Sequence, residues 1–123
     1  MKVLIVESER GLAEIWQRHL QRMGMQVSTC ADQDAAIAHL SSKHTDIIIL
    51  DLLLSEGSAF AVADYASYRM PDTRIIVVTN TSFFSDGSIF SFASNACAFV
   101  QRSTPPDDLA AMVEHYGAEA SDA

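Results

Sequence analysis

Four places in this chain join a run of aliphatic or β-branched residues to a residue able to do chemistry. They are Glu7-Ser8 after KVLIV, Asp51 after DIIIL, Thr79-Asn80 after RIIVV, and Gln101-Arg102 after AFV. A carboxylate so placed can ligate a cation or act as a nucleophile, although a lone Asp at a strand end is more often a cap or turn residue. Thr79 taken singly reads as a strand terminus, and Arg102 as a solvated charge. Their value lies in convergence. If the four runs are parallel strands of one sheet, their carboxyl ends share the rim where open sheets of this class bind ligands. Two carboxylates, two hydroxyls and a guanidinium then line one anionic pocket.

The elements needed to position these residues follow from periodicity. KVLIV is too short for a helix and too continuous for a strand with one wet face, so it reads as a central parallel strand. Leu12, Ile15, Trp16, His19, Leu20 and Met23 recur at helical spacing, and Gly24 stops that helix. A second strand at 26–30 precedes a helix capped by Asp32, with Ala36, Ile37 and Leu40 inward. The third strand, 46–50, is the most strand-like segment and delivers Asp51. An Ala-rich helix at 59–69, opened by Ser58 and closed by Pro71, leads to a fourth strand at 74–78. A weaker helix is predicted at 85–94 and a short fifth strand at 98–100. Thr104 and Pro105 then start a last helix that buries Leu109, Met112, Val113 and Tyr116. Five strands alternating with five helices imply a parallel sheet covered on both faces.

Composition narrows the function. With 123 residues, 49% hydrophobic and 20% charged, the chain supports one folded domain, expected over 1–117 with 118–123 as a disordered tail or linker stub. The net charge of −8 argues against direct nucleic-acid binding. No apolar run approaches a membrane span and no signal-peptide pattern opens the chain, so a cytoplasmic location is expected. Cys30 and Cys97 read as two buried thiols. No His spacing suits a metal.

The pieces KVLIVESE, DIIILDLLLSEGSAF, RIIVVTN and AFVQRSTPPDDL resemble the receiver domain of two-component response regulators, over nearly the whole chain. The resemblance implies a flavodoxin-like, doubly wound sheet of order 2-1-3-4-5 with five helices. It implies a phosphorelay module, not an enzyme, in which Asp51 accepts a phosphoryl group from a histidine kinase or phosphotransfer protein. Glu7 and Asp51, with the Leu53 carbonyl, match the family's Mg²⁺ site; Thr79 matches the residue that holds the phosphoryl oxygens. Phe99 matches the aromatic residue whose burial reports phosphorylation. A carboxylate attacking phosphorus faces charge repulsion, so a bound Mg²⁺, the Thr79 hydroxyl and the Arg102 cation would neutralise the transferring oxygens. Phe83, Phe84 and Phe90 cannot all join an inward stripe, so they either form an exposed apolar patch or pack under the preceding loop; for an exposed patch, the resemblance implies partner docking or a homodimer through the face of the fourth and fifth helices.

Departures from the family pattern define a degenerate site. Ser8 stands in place of a second acid, which lowers the expected metal affinity; Mg²⁺ needs only one or two carboxylates. Arg102 replaces a Lys whose compact ammonium it does not mimic. Ser103 replaces a Pro preceded by a cis bond, so a trans bond and a re-routed loop are expected. Ser55 and Ala59 replace a Pro and a Gly. These changes favour a rival function, a pseudo-receiver that works as an interaction module without phosphate. A dehalogenase-type hydrolase would need an acid where Leu53 stands, and no Gly-rich loop supports dinucleotide binding.

Overall fold

The computed structural model describes residues 1–79 and 95–121, with side chains to residue 118. The elements are β1 (Lys2–Val6), α1 (Arg10–Arg22), β2 (Gln26–Cys30), α2 (Gln33–Ser42), β3 (Ile47–Asp51), α3 (Ala59–Arg69), β4 (Arg74–Thr79), β5 (Ala96–Gln101) and α4 (Pro106–Ser121). The five strands form one parallel sheet in the order β2-β1-β3-β4-β5. The expected α/β architecture and strand order are both present. Four helices lie among the described residues. The predicted helix at 85–94, with Phe83, Phe84, Phe90 and Asn80, lies outside them, and with it the fourth-helix part of the proposed dimer face.

Alternation along the strands divides the core in two, as a doubly wound sheet requires. Val3, Ile5, Ile47, Ile49, Ile76 and Val78 pack with Trp16, Leu20, Leu109 and Val113 of α1 and α4. Leu4, Val6, Ile48, Leu50, Ile75 and Val77 pack on the other face with Ala36 and Leu40 of α2 and with α3. The residues α3 contributes are Ala59, Val62, Ala63 and Ala66, small enough to let the helix backbone lie close to the sheet. The α1 stripe is Ala13, Trp16 and Leu20; Ile15 and Met23, expected inside, are 43% and 41% exposed.

β3, β4 and β5 each end one residue later than read in the sequence, and three larger differences have local reasons. β5 begins two residues early because the β4–β5 register slips between Ile75 and Ile76, leaving Cys97 in a bulge with its Sγ 3.4 Å from the Ile75 carbonyl. The cysteines, expected to be buried, are only half-buried and form no disulfide with each other. At α4, Pro106 takes the first helical position and the Pro105 carbonyl accepts the Leu109 amide, one residue later than a Thr104 cap would give. The same helix runs on to Ser121 where a tail from residue 118 was expected. Ala118 and Ala120 favour helix, and buried Gly117 lies where a Cβ would collide with the Met1 side chain. Among the described residues no helix is long and apolar enough to cross a membrane.

Candidate functional site

The register of the parallel strands sets the pocket. β1 pairs with β3 as far as Val6 and Leu50, so Glu7 and Asp51 leave neighbouring strands side by side. Asp51 pairs with Val78, and Thr79 pairs with Gln101, which brings the Arg102 loop to the same rim. The Arg102 amide donates to the Thr79 carbonyl at 2.9 Å, fixing the loop backbone to the end of β4. No peptide bond among the described residues is cis.

Three of the sequence-predicted residues meet through their side chains. Arg102 Nη2 donates to Glu7 Oε1 and, at 2.7 Å, to Glu9 Oε2. Arg102 Nε lies 3.1 Å from Asp51 Oδ2, without hydrogen-bond alignment. The guanidinium side chain, 25% exposed, covers the side chains of Glu7 and Asp51, each 1% exposed. Asp51 Oδ1 accepts the Leu53 amide at 2.8 Å, which pins Leu53 to the acceptor loop. Thr79 is buried at the strand end. Phe99 sits two residues inside β5, partly buried against the core on the α2–α3 face, away from the carboxylate pair.

Glu9 was not foreseen. It lies at the N-cap of α1 yet makes no side-chain cap, because its carboxylate reaches Arg102 instead. The signal was present in the ESE triplet, whose first and third residues flank Ser8. Ser8 itself is committed to the loops: its hydroxyl donates to the Ala31 carbonyl at 2.8 Å and accepts the Ser55 amide at 2.9 Å. Gln33 adds a second tie, its Oε1 accepting the Ser58 amide at 2.8 Å while its side chain lies over Gly57, whose φ is +83°. The loop after Asp51 is therefore tied at Ser55 by the loop between β1 and α1 and at Ser58 by α2.

Electrostatically the pocket holds more acid than base. Burial pushes the Glu7 carboxyl up to about 8, reinforced by the Asp51 carboxylate beside it, against the opposing pull of Arg102. Arg102 is pushed up: burial alone would lower it, but Glu7, Asp51 and Glu9 outweigh burial. Glu7 Oε2 and Asp51 Oδ2 are both buried without a hydrogen-bond partner. Such a pair of oxygens can share a proton, or a cation. Two orphan anionic oxygens fit the donor set of Mg²⁺, which keeps several waters and accepts as few as one or two carboxylates. A cluster of three or more acidic, His or Cys side chains able to hold a metal is absent among the described residues.

Comparison with known proteins bears on the family and the fold. A family profile described as the response regulator receiver domain matches residues 3–114. The chain is 24% identical over 112 residues to the probable transcriptional regulator ycf27 of Porphyridium aerugineum, covering 91% of this chain and 46% of that protein. It is 27% identical over 107 residues to the response regulator SaeR of Staphylococcus epidermidis, covering 87% and 46%. It thus spans about half the length of the curated relatives it matches. Among solved structures, a CheY-like receiver domain protein from Methanospirillum hungatei superposes with a TM-score of 0.88 at 20% identity, covering 98% of this chain and 96% of that one. The response regulator protein TrrA of Thermotoga maritima, in complex with Mg²⁺ and BeF, does so with a TM-score of 0.80 at 24% identity, covering 94% and 97%.

Proposed function

This chain belongs to the response regulator receiver domain family, a module of two-component signalling and not a classical enzyme, and on that premise we propose that Asp51 accepts a phosphoryl group from a histidine kinase or phosphotransfer protein. The observation that carries the reading is the buried pair Glu7 and Asp51 under one guanidinium, at the carboxyl edge of a parallel sheet. Asp51 Oδ2, the oxygen without a hydrogen bond, has the lone pair to attack phosphorus. The Leu53 amide holds the other oxygen and so orients the carboxylate. Thr79 and Arg102 supply a hydroxyl and a cation to the phosphoryl oxygens. Glu7, Asp51 and the Leu53 carbonyl would hold Mg²⁺, whose charge offsets the repulsion between carboxylate and phosphoryl group. Phe99 and the face beyond β4 and β5 would carry the change outward, with a homodimer through the fourth- and fifth-helix face as one output. The domain would act in the cytoplasm.

The test is incubation with Mg²⁺ and acetyl phosphate, read by intact mass. A gain of one phosphoryl group, absent in Asp51→Asn, is expected. A second reading, a phosphate-independent pseudo-receiver with a degenerate site, is favoured by the commitment of Ser8 to Ala31 and Ser55 and by the cover Arg102 gives Asp51. It predicts no mass gain at any donor concentration and no response of Phe99 to beryllofluoride.

A further inference from the structure

We propose that Arg102 is a tethered cation standing in for a divalent ion over Glu7 and Asp51, and that Mg²⁺ binds only when its guanidinium leaves that pair and turns outward onto Glu9, at the pocket mouth from which it can meet an incoming phosphoryl group. The proposal rests on the receiver reading and specifies how that site is regulated.

Four observations support it. First, one guanidinium contacts three carboxylates, those of Glu7, Glu9 and Asp51, so it is the local counter-charge for the whole acidic cluster. Second, the two carboxylates it contacts beside Glu9 are almost wholly shielded from solvent, while the guanidinium side chain itself is 25% exposed. Third, the cover fits imperfectly. Arg102 Nε, Glu7 Oε2 and Asp51 Oδ2 are all buried without hydrogen bonds, an arrangement that a better-matched cation would improve upon. Fourth, a resting place for the displaced side chain already exists. Glu9 is 65% exposed at the mouth of the pocket and already shares Nη2, so the outward turn keeps one ion pair. The backbone need not move, since the Arg102 amide stays on the Thr79 carbonyl.

Displacement makes metal binding and the inward position of Arg102 mutually exclusive, and two such equilibria are linked by one coupling free energy. Removing the side chain must therefore tighten the metal. The experiment is calorimetric titration of Mg²⁺ into the metal-free domain at fixed pH and salt, for wild type, Arg102→Ala and Arg102→Gln. Circular dichroism confirms folding, and the Gln variant retains bulk and a donor should the Ala variant fail to fold. Tightening of about tenfold or more in a folded variant is expected. In wild type, the Arg102 Nε–Hε resonance should move in step with Mg²⁺ occupancy. Unchanged or weaker Mg²⁺ binding in the folded variants overturns the proposal, as does an Arg102 resonance that stays fixed while Mg²⁺ binds.

Phosphorylation by acetyl phosphate is scored separately. Tighter Mg²⁺ in the variants with no phosphoryl gain in wild type keeps the cation role and removes the receiver chemistry. Phosphorylation of wild type with Mg²⁺ affinity unchanged in the variants does the reverse.

Discussion

Glu7 is the residue at which folding and protonation meet. Its carboxyl titrates at about 8 in the folded protein against 4.5 for an ordinary Glu, with burial the largest cause and Asp51 the next. A raised folded-state value means the folded protein holds the proton more tightly than the unfolded chain. The stabilisation is therefore complete below about pH 4.5 and is lost as pH rises through about 8. Urea denaturation of the metal-free protein should show stability falling across that window, and Glu7→Gln should lose most of the fall. A wild-type slope retained in Glu7→Gln would place the proton elsewhere. At this scale the sequence showed Glu7, Asp51, Thr79 and Arg102 because each follows a recognisable strand. It hid Glu9, since an exposed acid just before a helix reads as a cap whether or not it caps.

At the scale of elements, α2 and α3 govern how the acceptor loop is presented. Asp32 Oδ1 accepts the Ala35 amide at 2.8 Å, satisfying one of the free amides at the start of α2, the helix that carries Gln33 to the loop. Asp32→Ala should cost about 1 kcal/mol in chemical denaturation. Ala63 is fully buried where α3 meets the sheet. Ala63→Leu must push that helix away, at about 1–3 kcal/mol, and a neutral result would mean that the interface is looser than its burial indicates. The strands were legible because each is a short, uninterrupted apolar run. The α1 face was harder: Ala13 is too small to register in a stripe built on large side chains, whereas Ile15 is large and points to water. The early start of β5 at Ala96 depends on a bulge, which no periodicity announces.

Across the whole molecule, one sheet serves two cores. Trp16 belongs to the α1–α4 side, 2% exposed, and both sides share the same five strands. Trp16 fluorescence and far-UV circular dichroism should report a single coincident unfolding transition; separated midpoints would show that the two faces come apart independently. The architecture was readable because alternating strands and helices leave few topologies, and the carboxyl edge then locates the pocket. What covers that pocket was not readable, since the reach of Arg102 to three acids depends on side-chain direction and not on order in the chain. Ser8 shows how such side-chain directions constrain redesign. A hydroxyl can give its hydrogen to Ala31 and take one from Ser55, but an ionised acid only takes. An acid placed at position 8 would add a carboxylate beside Glu7 and turn a negative charge toward the Ala31 oxygen, unstitching the loop beside Asp51. An engineer adding that acid would have to rebuild the turn at residue 31 in the same step, because the oxygen it would face is a backbone carbonyl.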